Sequence, residues 1–245
     1  MEQESPFTAG KVLLINKPYT WTSFNVVQKV KYSIKKYTKT PHTANLPVRK
    51  FKLKVGHAGT LDPLATGLLI VCTGKETKNI EAYQAKEKEY TGTFYIGATT
   101  PCFDLEKEID ERFPTEHITP EMIESTRLKF IGTQDQVPPL FSALKIDGRR
   151  AYKIARAGKE GELKAREITI SELELTRIEL PEIDFRVVCS KGTYIRSLAR
   201  DFGLELGSGA HLTALCRTRI GEYKLSDALT LEEFEKSLAE NAISQ

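Results

Sequence analysis

Gly56-His57-Ala58-Gly59-Thr60-Leu61-Asp62-Pro63-Leu64-Ala65-Thr66-Gly67-Leu68-Leu69 sets one acid in the middle of an otherwise uncharged, glycine-punctuated stretch. Asp62 is the first acid after a long basic run: between Glu4 and Asp62 stand eleven Lys or Arg and no Asp or Glu. Proline at 63 disfavours helical backbone at Asp62, so the acid belongs to an extended or turn segment. Gly56, Gly59 and Gly67 let the chain bend tightly or approach a ligand closely. Asp-Pro is also a common turn dipeptide with no further role. Leu61, Leu64 and Ala65 speak against that, because they place this carboxylate beside apolar matter. A carboxylate there is costly unless a cation or hydrogen-bond donors compensate it.

The charge is distributed unevenly. Residues 1–61 hold eleven basic and two acidic residues, net +9, whereas residues 62–245 hold 25 basic and 31 acidic, net −6. Such a split points to a nucleic-acid or membrane surface at one face. A lone carboxylate beside a surface suited to polyanions suggests chemistry on a nucleic acid. A second basic block spans 136–166, with Lys145, Arg149, Arg150, Lys153, Arg156, Lys159, Lys164 and Arg166 interleaved with Phe141 and Tyr152. Alone it reads equally well as a solvated face; together with the first block it suggests a clamp on phosphates.

At 245 residues, 40% hydrophobic and 28% charged, the composition is that of an ordinary globular chain. No apolar run approaches a membrane span, and residues 1–10 lack the pattern of a secretory signal. Cys72, Cys102, Cys189 and Cys216 are far apart and show no metal-ligand spacing, so reduced thiols, no metal and a cytoplasmic location are expected.

Val12–Asn16 reads as a buried strand ended by Lys17-Pro18. Ser23 is positioned to cap a helix whose Val26, Val27, Val30 and Ile34 share one face, leaving its lysines outward. Residues 39–54 read as a basic loop. A strand over Leu68–Cys72, a short helix near Glu76–Gln84 and a strand over Tyr90–Ala98 follow. Thr119-Pro120 opens a helix running to about Phe130, and Pro138-Pro139 breaks the chain. Ala151–Ala157 reads as helix, and Ile168–Ile178 and Ile183–Cys189 as an antiparallel strand pair. Thr193–Leu206 reads as a helix with Ile195, Leu198, Ala199 and Phe202 inward, and Thr230–Glu233 as a capping box. The expected fold class is α+β: a mixed, mainly antiparallel sheet with flanking helices.

Few other side chains invite chemistry. Arg196 falls on the shoulder of an apolar helix face, where an arginine either snorkels to water or pairs with a buried acid. Lys191 and Thr193, near that helix start, suit phosphate. His57 has the character of an acid, a base or a packing element. Tyr90 opens a strand, where an aromatic commonly joins the core but can also stack on an extruded base.

The stretch Gly56–Gly67 closely resembles the motif of the TruB-type tRNA pseudouridine synthases. So do Val12–Pro18 (the family's opening strand), Lys88-Glu89-Tyr90 (its tyrosine motif) and Lys191–Arg196 (its arginine motif). Pro138–Lys145 with Gly148 and Tyr152 resembles its RNA-gripping thumb. These landmarks occur in the family's order across residues 11–220. The resemblance implies a pseudouridine synthase fold over 1–245, with a thumb-like insertion at about 132–166; the short tail after Gly221 departs from the family's pattern, with room for one capped helix, so no full C-terminal PUA domain is expected. It implies Asp62 as nucleophile, Arg196 as its ionic partner and Tyr90 stacking on the target base. Substrate contacts would come from His57, Tyr194, Lys17, Lys145 and Lys191. The implied substrate is the tRNA T-arm, the implied product pseudouridine at position 55, the implied state a monomer without cofactor. A carboxylate that attacks must be ionised; desolvation opposes this and a neighbouring arginine restores it. Two other readings keep the same scaffold: a tRNA-folding chaperone that does not need Asp62, and a glycosylase that releases uracil.

Overall fold

The structure, a computed structural model, describes residues 5–37, 53–142, 144–146, 148–157, 161 and 163–243. The first elements are α1 (Pro6–Ala9), β1 (Val12–Lys17), α2 (Ser23–Tyr37), β2 (Val55–His57), β3 (Thr66–Thr73) and α3 (Ile80–Ala85). Then come β4 (Lys88–Ile96), β5 (Ala98–Thr99), β6 (Glu111–Arg112), α4 (Pro120–Lys129) and β7 (Gly132–Gln136). They are followed by β8 (Lys145–Ile146), β9 (Arg149–Arg150), α5 (Ala151–Arg156), β10 (Arg166–Glu179) and β11 (Glu182–Cys189). The chain closes with α6 (Ile195–Glu205), β12 (Ala210–Ile220), β13 (Tyr223–Lys224) and α7 (Leu231–Ile243). The basic loop read at 39–54 lies outside the described residues except for Leu53 and Lys54.

The chain forms two compact units, residues 1–86 with 216–245 and residues 87–215. In the first, β1 and β2 pair antiparallel with β3, and β12 pairs parallel with it through Cys216↔Thr66 and Arg217↔Gly67. Strand β3 is an unbroken apolar run because both its faces are covered. Leu69 and Val71 pack with Ile15, Val26, Val30, Ile34, Phe234 and Leu238, whereas Leu68, Ile70 and Cys72 pack with Ala58 and Ile220. The capping box of α7 is present: Thr230 N–H donates to Glu233 at 2.8 Å and Glu233 N–H to the Thr230 hydroxyl at 3.1 Å.

In the second unit β4 pairs with β11, β11 with β10 and β10 with β7, all antiparallel. Phe94, Phe185 and Phe202 form its aromatic centre, with ring centroids 4.1 and 5.2 Å from Phe94. Thr119 caps α4 by accepting the Met122 N–H, and Ile195, Leu198, Ala199 and Phe202 of α6 are buried. The mixed, mainly antiparallel α+β class holds.

Two details of α2 differ from expectation. Thr22 caps the helix, accepting the Asn25 N–H at 3.0 Å, while the Ser23 hydroxyl is turned onto Leu61. Lys35 is not outward: it is 9% exposed. It directly follows the core residue Ile34, and its aliphatic stem extends the apolar face.

Candidate active site

In the first unit, every side of the loop around Asp62 is tied down. Ala58 N–H donates to Ile70 O at 2.9 Å, and Ala65 N–H closes a turn onto Asp62 O at 3.1 Å. Leu61 N–H donates to the Ser23 hydroxyl at 2.8 Å, and that hydroxyl lies 3.1 Å from Leu61 O. Lys17, with no exposed surface, donates to the carbonyls of Pro18 at 3.0 Å, Trp21 at 2.6 Å and Pro63 at 3.1 Å. Asp62 itself is half-buried, between Leu61 at 3% and Ala65 at 2% exposure. The apolar setting read from its neighbours is therefore real.

Burial pulls the Lys17 ammonium down to about 8; the Asp62 carboxylate opposes the fall and the Arg217 guanidinium adds to it. Lys17 thus sits inside the support of the loop, not on an exposed face from which a phosphate would be met. His57 is half-buried at the end of β2. Desolvation first, then the Arg217 charge, hold its imidazole below the ordinary value, and a Gly59 backbone hydrogen bond acts against them. A neutral ring is the dominant form at neutral pH.

In the second unit Arg196 does not snorkel. It is 4% exposed and donates to Cys102 O at 3.1 Å and Phe141 O at 2.9 Å. The Asp104 carboxylate, itself 5% exposed, lies 3.6 Å from its Nε. Asp104 was not singled out from sequence, although Cys102-Phe103-Asp104-Leu105 carries the same signal as Asp62, an acid among apolar neighbours. Tyr90 is 8% exposed on β4 in register with Val187. Tyr194 precedes α6, and its backbone is gripped by Gln136, which accepts from Tyr194 N at 2.8 Å and donates to Tyr194 O at 3.2 Å. Lys191 is exposed in the turn before α6. The Lys145 side chain lies outside the described residues.

The sequence also gave no notice of Arg217, 1% exposed in β12. It donates to Leu68 O at 2.8 Å and Gly59 O at 3.1 Å. Three residues from buried Ile220, it falls on the opposite face of the strand, and nothing local marks it as inward or names its partners. Cys72, Cys102 and Cys189 do not compete as nucleophiles. Burial pushes the thiols of Cys72 and Cys102 up to about 11 and that of Cys189 to about 12, so each stays protonated.

Residues 47–195 match the family model described as TruB family pseudouridylate synthase (N terminal domain). Residues 196–244 match the model described as tRNA pseudouridylate synthase B C-terminal domain. Among curated proteins, the tRNA pseudouridine synthase B of Flavobacterium johnsoniae is 58% identical over 232 residues, covering 95% of this chain and 97% of the relative. The protein of the same name from Phocaeicola vulgatus is 55% identical, covering 98% and 97%. Among solved structures, a Cbf5-Nop10-Gar1 complex matches with a TM-score of 0.67 and 27% identity over 96% of this chain. The chain spans 60% of the length of that matched protein. With both parts of the family pattern matched in succession, and relatives this similar over nearly their whole length, the chain belongs to the TruB family of tRNA pseudouridylate synthases and is an isomerase of that class.

Proposed function

We propose that the chain isomerises the T-loop uridine at position 55 of tRNA, with Asp62 as nucleophile. The N1–C1′ bond breaks, the base turns within the site, and C5 joins C1′; the C5 proton leaves and N1 gains one. Asp62 serves by attack on the nucleoside, or as a base at the sugar, in both cases as an anion. Arg196 is the cation that keeps it ionised, and Asp104 with two carbonyls orients the guanidinium. Tyr90 stacks on the everted base, which offsets an unstacking cost of roughly a few kcal/mol. His57 and Tyr194 shape the pocket, and residues 132–166, with Lys145, act with Lys191 as the grip on the phosphate backbone.

The observation that carries this reading is the support of Asp62: a half-buried carboxylate on a loop held by Ser23, Lys17 and Arg217. Immobilising an acid in this way is the arrangement a nucleophile needs, because small displacements of a reacting group are costly in rate. A turn residue without chemistry has no use for two buried cations.

The test incubates the purified protein with a T-arm stem-loop RNA and measures pseudouridine, alongside Asp62→Asn. The wild type forms product at the T-loop uridine, and Asp62→Asn loses more than about 10³-fold in rate while its RNA affinity stays within a few-fold. Normal turnover by Asp62→Asn would remove the nucleophile. Tight RNA binding without product from the wild type would favour the chaperone, and release of free uracil the glycosylase.

A further inference from the structure

We infer that Arg217 is a positioning residue for Asp62, a clamp that ties together the two ends of the loop carrying it. This rests on Asp62 being the reacting group. The guanidinium reaches Gly59 O, three residues before Asp62, at 3.1 Å and Leu68 O, six residues after it, at 2.8 Å. One rigid planar fork thus spans both ends of the loop, and at 1% exposure it does so without competition from water.

The backbone is arranged to bring Arg217 there. Gly67 has φ +102°, and a Cβ at that position would stand 2.4 Å from Arg217 O and 2.7 Å from Arg217 N. Only glycine permits β3 and β12 to meet at Arg217↔Gly67. At Gly59, φ +96°, an added Cβ would come within 3.5 Å of Nη1. The loop and the arginine fit each other at both ends.

The same charge faces two other titratable groups, His57 and Lys17. The other influences on His57 are its own burial and the Gly59 backbone. Arg217 therefore has a second readout, separate from turnover: the titration of His57.

The experiment compares wild type, Arg217→Lys, Arg217→Gln and Asp62→Asn at a temperature where all are folded. It measures single-turnover pseudouridine formation at saturating RNA, RNA affinity, amide hydrogen exchange over residues 58–68, and the His57 titration by NMR. A lysine keeps the charge but replaces the two separately placed donors, Nε on Leu68 O and Nη2 on Gly59 O, by a single nitrogen without the planar fork. Arg217→Lys is expected to lose about 10- to 100-fold in rate, with RNA affinity within two-fold of wild type. Exchange should rise across 58–68 and not in the α7 amides. His57 should titrate higher in Arg217→Gln and stay close to wild type in Arg217→Lys. Should Arg217→Gln fail to fold, Arg217→Lys decides. Wild-type rate and wild-type exchange in Arg217→Lys would overturn the clamp, as would faster exchange spread uniformly over the first unit. Full activity of Asp62→Asn together with local loosening in Arg217→Lys would instead discard the nucleophile and leave the clamp standing.

Discussion

Ser23 and Leu61 are joined both ways: the Leu61 N–H donates to the Ser23 hydroxyl at 2.8 Å, and that hydroxyl points back at Leu61 O, 3.1 Å away. The first turn of α2 thereby holds the residue immediately before Asp62. Ser23 is 2% exposed, so water cannot replace it. Ser23→Ala leaves the Leu61 N–H buried without this partner, at a cost of about 1–3 kcal/mol. Urea denaturation should show that loss, and pseudouridine formation should fall more than RNA affinity. An unchanged midpoint would mean that the hydroxyl does not hold the loop.

Asp104 and Arg196 make the second expectation. Both are nearly fully buried, and removing one charge takes a buried counter-charge from the other. Asp104→Ala should destabilise the protein by about 3–5 kcal/mol. Adding Arg196→Met should return part of that, because the guanidinium that lost this counter-charge is then gone; the two losses should fail to add. Simple additivity in a double-mutant cycle would show that the two groups are energetically independent.

Lys17 gives a pH signature. Its folded value, about 8, lies below the ordinary lysine value of 10.5, with burial the main cause. Below pH 8 both states carry the proton, and the folded state bears the full cost of burying it. Between 8 and 10.5 the folded state releases the proton while the unfolded chain keeps it, so Lys17's contribution to the unfolding free energy rises with pH. Lys17→Met lacks this group. The stability of wild type minus that of Lys17→Met should therefore increase between pH 8 and 10, as measured by denaturant unfolding at each pH. A flat or falling difference would place the ammonium in a better-solvated setting.

Much of the architecture was legible because its causes are local. The β-run at Leu68–Cys72, the α2 stripe of Val26, Val27, Val30 and Ile34, and the Thr230–Glu233 box each follow from spacing within a few residues. The helix cap was misplaced by one residue because Thr22 and Ser23 offer the same hydroxyl, and only the position of Leu61 decides which one turns away from the helix.

The site divides along the same line. Asp62 stood out because proline, glycines and apolar neighbours surround it within one short stretch, and the family motifs around it are contiguous in sequence. What supports it was hidden. Arg217 meets Gly59 across 158 positions, and Lys17 reads as a surface base until its ammonium is found on three carbonyls; in the second unit, Arg196 likewise meets Cys102 across 94. Sequence alone singled out Asp62 as the candidate acid and outlined the elements that carry it. Tertiary structure decided which cations are dry and what they hold, because desolvation and hydrogen-bond pairing arise only when distant strands close around a side chain.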